Sequence, residues 1–360
     1  MSRLNIASSE NCFILAGDIG GTNTTIALME LKNGELLQRA KKSFSSREIS
    51  GLDQAIDASL PDFSDCLSGS SIAGACFTAA GPVEKNTCQL TNVAWRIDAN
   101  AIGERLGMPA FVINDLSGIC YGIPLLDPAN PEQLTAMPHP DGTFPIGQEL
   151  RPGMDVRAVV APGTGLGIGY LVHEAGNYIA LPAEAGHIDW GAYSDETRDL
   201  QKYMHQKIGT NPGVEQFVSG IGLENVFQFM VDSGNFSPTA STEQIVATPA
   251  GLRGALISRY AESDPLCSHV MELFVEMMAR FMSSVALWML PKAGLYIAGG
   301  IPAKNKRWFL EDCRFMKTFL KNYLSGMESQ LSQIPVYMAM DYGINLFGAA
   351  HGYYCLNRMH

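Results

Sequence analysis

Long runs of any one character are missing from this chain, and each absence removes a class of function. Charge is sparse. Asp, Glu, Lys and Arg make up 17% of the 360 residues, and they leave a net charge of −11. No four consecutive residues hold more than three Lys/Arg, as at 304–307. A broad basic surface for nucleic acid is therefore excluded. The eight cysteines (Cys12, Cys66, Cys76, Cys88, Cys120, Cys267, Cys313, Cys355) include no CxxC pair, and the seven histidines form no cluster with metal spacing. No structural zinc is expected, and the pattern reads as a reducing cytoplasm. Cys76 and Cys120 sit inside apolar runs, where a thiol acts as a small hydrophobe. The N-terminus has no apolar signal-peptide core, and the most membrane-like stretch, 281–301, is broken by Pro291 and Lys292. Neither half is long enough to cross a bilayer, so no membrane role is expected. What remains is ordinary globular material, 46% apolar, enough for one large or two ordinary domains.

Against that background one stretch stands out. Phe13–Ala16 reads as a buried strand, followed by Gly17, Asp18, Ile19, Gly20, Gly21, Thr22 and Asn23, and then by a second strand-like run over Thr24–Met29. Strand, glycine turn, strand is a hairpin signal. Gly20 and Gly21 are expected to take positive φ and to expose consecutive N–H groups, a concave row suited to phosphate. Thr22 and Asn23 add side-chain donors. Asp18 would face that anion, and this implies a Mg²⁺ between them. A tight turn with no ligand is the plainer reading of one such string. A second copy changes the balance. Val159 opens another strand, Gly163, Thr164 and Gly165 turn it, and Leu166–Val172 continues. The second copy has no counterpart of Asp18.

The remaining chain alternates strands and helices. Asn33-Gly34 joins a third strand, Glu35–Phe44, to the second. Leu52–Leu60 is a helix that Pro61 should stop. Ser71–Thr78 is a strand. Asn92 is either a turn residue or a ligand contact, and Trp95 is a core anchor or a ligand contact. Asp98 caps a helix that Gly107 ends. Ala110–Ile113 delivers Asn114 and Asp115 at its carboxyl end, where open α/β sheets bind ligands. Asp115 taken alone could be only a helix cap. Residues 126–153, rich in Pro and Gly, read as a surface excursion. Glu184 and His187 share a loop after the strand Asn177–Leu181. Leu273, Phe274, Met277, Met278, Phe281, Met282, Val285 and Trp288 mark one long helix. Leu295–Ala298 is a strand that Gly299 and Gly300 turn into a helix over Lys304–Leu324. A strand over Ile334–Met340 and a helix over Gly343–Tyr354 close the chain.

Set in order, these features are GDIGGTN at 17–23, IND at 113–115, APGTGLG at 161–167, AEAGH at 183–187 with Glu215 beyond it, and GGI at 299–301. Over nearly its whole length the chain resembles the bacterial-type glucokinases of the hexokinase/actin-like ATPase superfamily. LPAEAGHIDW resembles that family's LPGEGGHVDF segment, and the run from Glu215 to Phe227 resembles its ERVLSGPGL segment. The zinc motif of the related ROK sugar kinases is absent, which points to the non-ROK branch. The resemblance implies an α/β fold of two RNase-H-like lobes with mixed sheets around a central cleft. The small lobe would take residues 1–115 and 341–360, and the large lobe 116–340. It implies ATP-dependent phosphorylation of glucose at the 6-hydroxyl, with Asp115 as general base. Asn92, Asn114, Asp115, Glu184, His187 and Glu215 would hold the sugar. Asp18, Gly20, Gly21, Thr22, Asn23, Thr164 and Gly165 would hold the phosphates. Asp18 would meet Mg²⁺ through water, and Gly299 and Gly300 would floor the adenosine. It also implies a homodimer.

Two positions depart from the family pattern. Ala185 stands for a glycine and Ile221 for a proline, and the added methyl at 185 bears on the sugar pocket. A kinase for mannose or N-acetylglucosamine is the near rival. A sugar-sensing regulator of the same fold would need a DNA-binding helix-turn-helix, and the dozen residues before Phe13 are too few for one. A dinucleotide-binding oxidoreductase would need its glycines to open a helix, whereas a β-branched strand follows them here.

Overall fold

A computed structural model describes residues 11–90, 93–340 and 343–359. The chain divides into two compact units. The first takes Met1–Leu134, Gly169–Pro182 and Asp341–His360, and the second takes Thr135–Ile168 and Ala183–Met340.

The first unit is built on a mixed five-stranded sheet. Cys12–Ile19 lies at its centre. On one side it pairs antiparallel with Asn23–Lys32, which pairs in turn with Glu35–Ser45. On the other side it runs parallel to Ile72–Ala79, and that strand runs parallel to Ala110–Asn114. The Asn33-Gly34 turn is as expected: both residues take positive φ, 52° and 79°, and Lys32 pairs with Glu35. Side chains alternate between the two faces of a strand. Leu15 and Ile19 point with Ile26, Leu28 and Phe77 into a core shared with the helix Leu52–Leu67. Asp18 therefore points to the opposite face, against which the helices Asp115–Gly122 and Ile344–Asn357 pack.

The first helix does not stop at Leu60. It continues through Pro61 to Leu67. Its buried face, Leu52, Ala55, Ile56 and Ser59, extends to Phe63, which is 1% exposed. Burying that ring outweighs the one backbone hydrogen bond that Pro61 cannot donate.

The second unit centres on the strand Gly294–Ile297, parallel to both Met154–Pro162 and Val336–Ala339. The long helix Pro265–Met289 begins at Asp264, whose side chain accepts from the backbone N–H groups of Leu266 and Cys267. Its apolar stripe is buried from Leu266 to Ala286, but Trp288 stands half exposed. The helix expected over Lys304–Leu324 is a broken series instead: Gly300–Lys304, Lys306–Leu310, a 3-10 turn over Glu311–Cys313, and Arg314–Phe319. Asp312 and Cys313 take positive φ, which no α-helix continues through. Residues 126–153 are a surface excursion only in part: they carry one short strand, Leu134–Ala136, at the edge of a six-stranded sheet, with Leu134, Thr135 and Met137 buried, because pairing with that sheet covers their backbone. Among the described residues no helix is long and apolar enough to cross a membrane.

Candidate active site

In the first unit the glycine hairpin forms as expected. Ile19 pairs with Thr24, and residues 20–23 make the bend. The Gly20 N–H donates to the Asn23 carbonyl at 2.9 Å. Gly20 does not take the positive φ expected from the sequence. The bend is held by another device. The Ser46 hydroxyl donates to the Gly20 carbonyl at 2.7 Å, and the Ser46 N–H donates to the Thr22 carbonyl at 2.9 Å. A residue after the third strand thus fixes the loop from outside. Trp95 adds its indole N–H to the Ser46 carbonyl at 3.3 Å and packs against the core, so it supports this loop. Thr22 and Asn23 are exposed at the tip. Asn92 lies outside the described residues.

Asp18 accepts from the Thr78 hydroxyl at 3.0 Å and from the Asn345 amide at 3.4 Å. Burial pushes its carboxyl pKa up, and these two hydrogen bonds offset only part of that. Asn114, the last residue of its strand, caps the following helix: its side-chain oxygen accepts from the Leu116 N–H at 2.9 Å. The cap role therefore belongs to Asn114, and Asp115 is the first helical residue. Asp115 accepts from the same N–H at 2.9 Å. Its pKa is raised by burial first, and then by the nearby charge of Asp18. Asp18 and Asp115 thus come close enough for their charges to interact, whereas Asn114, in register with Ala79, lies on the other face of the sheet from Asp18.

Two helices carry this arrangement, and glycines let them touch. A Cβ on Gly348 would fall inside the Gly118 carbonyl, and one on Gly122 would strike Ile344. The contact sets the Asp115 helix against the one that supplies Asn345.

In the second unit, Gly163, Thr164 and Gly165 form the second bend, closed by the Gly163 N–H on the Gly165 carbonyl at 2.8 Å. Glu215 is tied to it. Its carboxylate accepts from the Leu166 N–H at 2.9 Å, and a Cβ on Gly165 would lie 2.5 Å from the same oxygen. Glu184 and His187 bracket a 3-10 turn over Ala185–His187. Their side chains are 90% and 66% exposed, and the two groups sit 3.7 Å apart. Such a pair contributes little to stability, which leaves both groups free for hydroxyls. Ala185 is buried, so the methyl that departs from the family pattern is taken up by packing. The glycine the geometry requires is Gly186, where a Cβ would run into the Leu166 carbonyl. Segment 184–190 is fixed to 212–216 by the Val214 N–H on the Ile188 carbonyl at 3.0 Å, and this brings Glu215 to the same segment.

Gly299 and Gly300 lie beside the second bend. Gly299 has φ 98°, and a Cβ there would sit 3.0 Å from the Pro162 carbonyl. The Gly220 N–H donates to the Gly163 carbonyl at 2.8 Å. These backbone approaches open a cavity of about 600 Å³ that includes Gly163, Thr164, Gly220, Ile221 and Gly300 in its lining. Ile221 lines this cavity. The cavity's far wall, Gly251 to Ala255, carried no signal in the sequence. Neither did Thr78, Asn345 and Ser46, because each acts across a long loop in the chain.

Comparison with known proteins fits this picture. The family model described as Glucokinase matches residues 15–354. A glucokinase from Nostoc punctiforme is 32% identical over 352 residues, covering 94% of this chain and 97% of the relative. The crystal structure of a glucokinase from an Antarctic psychrotroph superposes with a TM-score of 0.78 at 25% identity, over 96% of this chain and 99% of that one. The structure of the Balamuthia mandrillaris glucokinase in complex with glucose shares the fold, with a TM-score of 0.69 at 22% identity over 96% and 94% of the two chains. The α/β architecture, the two glycine bends and a family match that spans almost every residue agree: the chain belongs to the glucokinase family.

Proposed function

We propose that Asp115 is the base through which this chain transfers the γ-phosphoryl group of ATP to the 6-hydroxyl of glucose. That the chain is an enzyme which phosphorylates glucose follows from its family. The observation that carries the role of Asp115 is its setting. It is a half-buried carboxylate at the first turn of a helix, with its pKa raised by loss of solvent and by Asp18. A raised pKa makes a carboxylate a better proton acceptor.

The step balances as follows. The 6-oxygen gives its proton to an Asp115 oxygen and forms a bond to the γ-phosphorus. The bond from that phosphorus to the β-phosphate oxygen breaks, ADP leaves with the electron pair, and Asp115 releases the proton to water. Glu184, His187 and Glu215 bind sugar hydroxyls, and Asn114 adds an amide. Asn92 is assigned the same role on family resemblance alone. Such groups discriminate against analogues lacking a hydroxyl, since an unmatched buried polar group is costly. Gly21, Thr22, Asn23, Thr164 and Gly165 donate to the phosphates, Gly20 shapes the bend with its N–H held by the Asn23 carbonyl, and Gly299 and Gly300 let the adenosine lie close to backbone.

The residues fit a Mg²⁺ ion. Asp18 is a half-buried carboxylate near a second one, a charge arrangement that a cation relieves, and Mg²⁺ commonly takes one or two carboxylates together with substrate phosphates. Asp18 would hold it, through water. Bound there, it would neutralise charge on the phosphates. The homodimer and the cytoplasmic setting belong to this same reading.

Asp115→Ala tests it. Turnover should fall by roughly 10²–10⁴-fold, while calorimetry still detects glucose binding. A variant that keeps near wild-type kcat would sink the assignment.

A further inference from the structure

The far wall of the 600 Å³ cavity is a turn held by one side chain. Glu224 lies on the helix Gly220–Ser233, one turn past the glycine that meets the second bend. Its two carboxylate oxygens accept three backbone N–H groups from the opposite wall. Gly251 donates to one oxygen at 2.9 Å. Arg253 and Gly254 donate to the other at 2.9 and 3.2 Å. The turn they fix runs from Pro249 to Leu252, with the Leu252 N–H on the Pro249 carbonyl at 3.2 Å and Gly251 at φ 86°. Arg253 reinforces the clamp, reaching the Thr248 carbonyl at 2.7 Å and Gln228, on the same helix, at 3.2 Å. At the tip stands Leu252. It lines the cavity and is 64% exposed, so its side chain is open to a ligand there.

We propose that Glu224 is a positioning residue for the nucleobase of the phosphoryl donor. It sets the Pro249–Gly254 turn so that Leu252 covers one face of the base. This rests on the reading of the cavity as the donor site. The flat apolar base gains contact with Leu252, while the triphosphate lies toward Gly163 and Thr164 and is untouched by the clamp. Charge-assisted bonds from three N–H groups to one carboxylate are strong and directional. A glutamine keeps one acceptor oxygen but turns an amide N–H toward a backbone N–H, so part of the clamp opens.

The test compares Glu224→Gln and Leu252→Ala with wild type. The readouts are kcat, the KM for ATP, the KM for glucose, and inhibition by inorganic tripolyphosphate, which has phosphates but no base. Both variants should raise the KM for ATP by roughly 5–20-fold, the effect of about one lost hydrogen bond or buried side chain. The values of kcat, KM for glucose and tripolyphosphate inhibition should stay within about two-fold of wild type. Leu252→Ala changes only an exposed side chain, so it reports even where Glu224→Gln folds poorly. An unchanged KM for ATP in well-folded Glu224→Gln or in Leu252→Ala, or an equal loss toward tripolyphosphate, overturns the proposal. Ala255→Trp, which fills the same cavity, separates the two levels. If it leaves the KM for ATP unchanged, the donor-site reading itself fails. If it raises that KM while the other two variants do not, only the role of Glu224 fails.

Discussion

Asp115 and Asp18 are neighbours whose charges oppose each other. Each is half-buried, and the charge of Asp18 helps raise the pKa of Asp115. If Asp115 is the base as proposed, it must be ionised to accept a proton, so activity is lost as pH falls through this raised value. The acidic limb of kcat/KM should therefore lie above the ordinary value of 3.8. Asp18→Asn removes the neighbouring negative charge and should shift that limb to lower pH, on top of any loss in absolute rate. A pH profile of residual activity checks this. A limb that stays in place, or moves to higher pH, would separate the two carboxylates. Asp115 was legible in the sequence because it follows a strand and opens a helix. Its partners Thr78 and Asn345 were not, since they are 60 and 327 residues from Asp18 along the chain.

At the level of elements, glycines do two separate jobs. Asn33-Gly34 makes a two-residue turn that only local backbone preference is needed to foresee. Gly118, Gly122 and Gly348 let two helices meet closely enough to bring Asp115 and Asn345 to one sheet face. Gly348→Ala would force that crossing apart. Overpacking of this kind typically costs about 1–3 kcal/mol. A urea titration should show the midpoint falling, and kcat should drop further than the KM values change, because the reacting carboxylate moves. A variant as stable and active as wild type would show that the helices can separate freely. The sequence could not show this crossing, since a glycine in a helix carries no mark of what approaches it. The broken helix over 300–319 and the unbroken one through Pro61 make the same point: packing overrode the local rule in each case.

Across the whole molecule, the prediction concerns substrates. An ADP-release assay over a panel of hexoses should favour glucose over mannose and N-acetylglucosamine. The family match supports this, and Ala185, whose methyl is buried in packing, does not oppose it. Chelation with EDTA should abolish turnover, and added Mg²⁺ should restore it. Glucose should also raise the thermal midpoint, since a ligand at 100 times its Kd stabilises the folded state by about 2.7 kcal/mol. Equal rates on all three sugars would make the enzyme a general hexose kinase, and full activity in EDTA would remove the metal from the scheme.

The sequence by itself carried a resemblance to the glucokinase family through its ordered motifs, and its strand–turn–strand spacing marked the two glycine bends, with Asp18, Asn114 and Asp115 as residues to watch. It could do so because bends and strand ends are local, written in a few consecutive residues. Only the tertiary structure decided what holds those residues in place: Ser46 under the first bend, Thr78 and Asn345 on Asp18, Glu215 on the second bend, and Glu224 across the cavity. The physical reason is range. A hydrogen bond that closes a long loop leaves no periodicity in the chain, and only folding brings its two ends within 3 Å or so of each other.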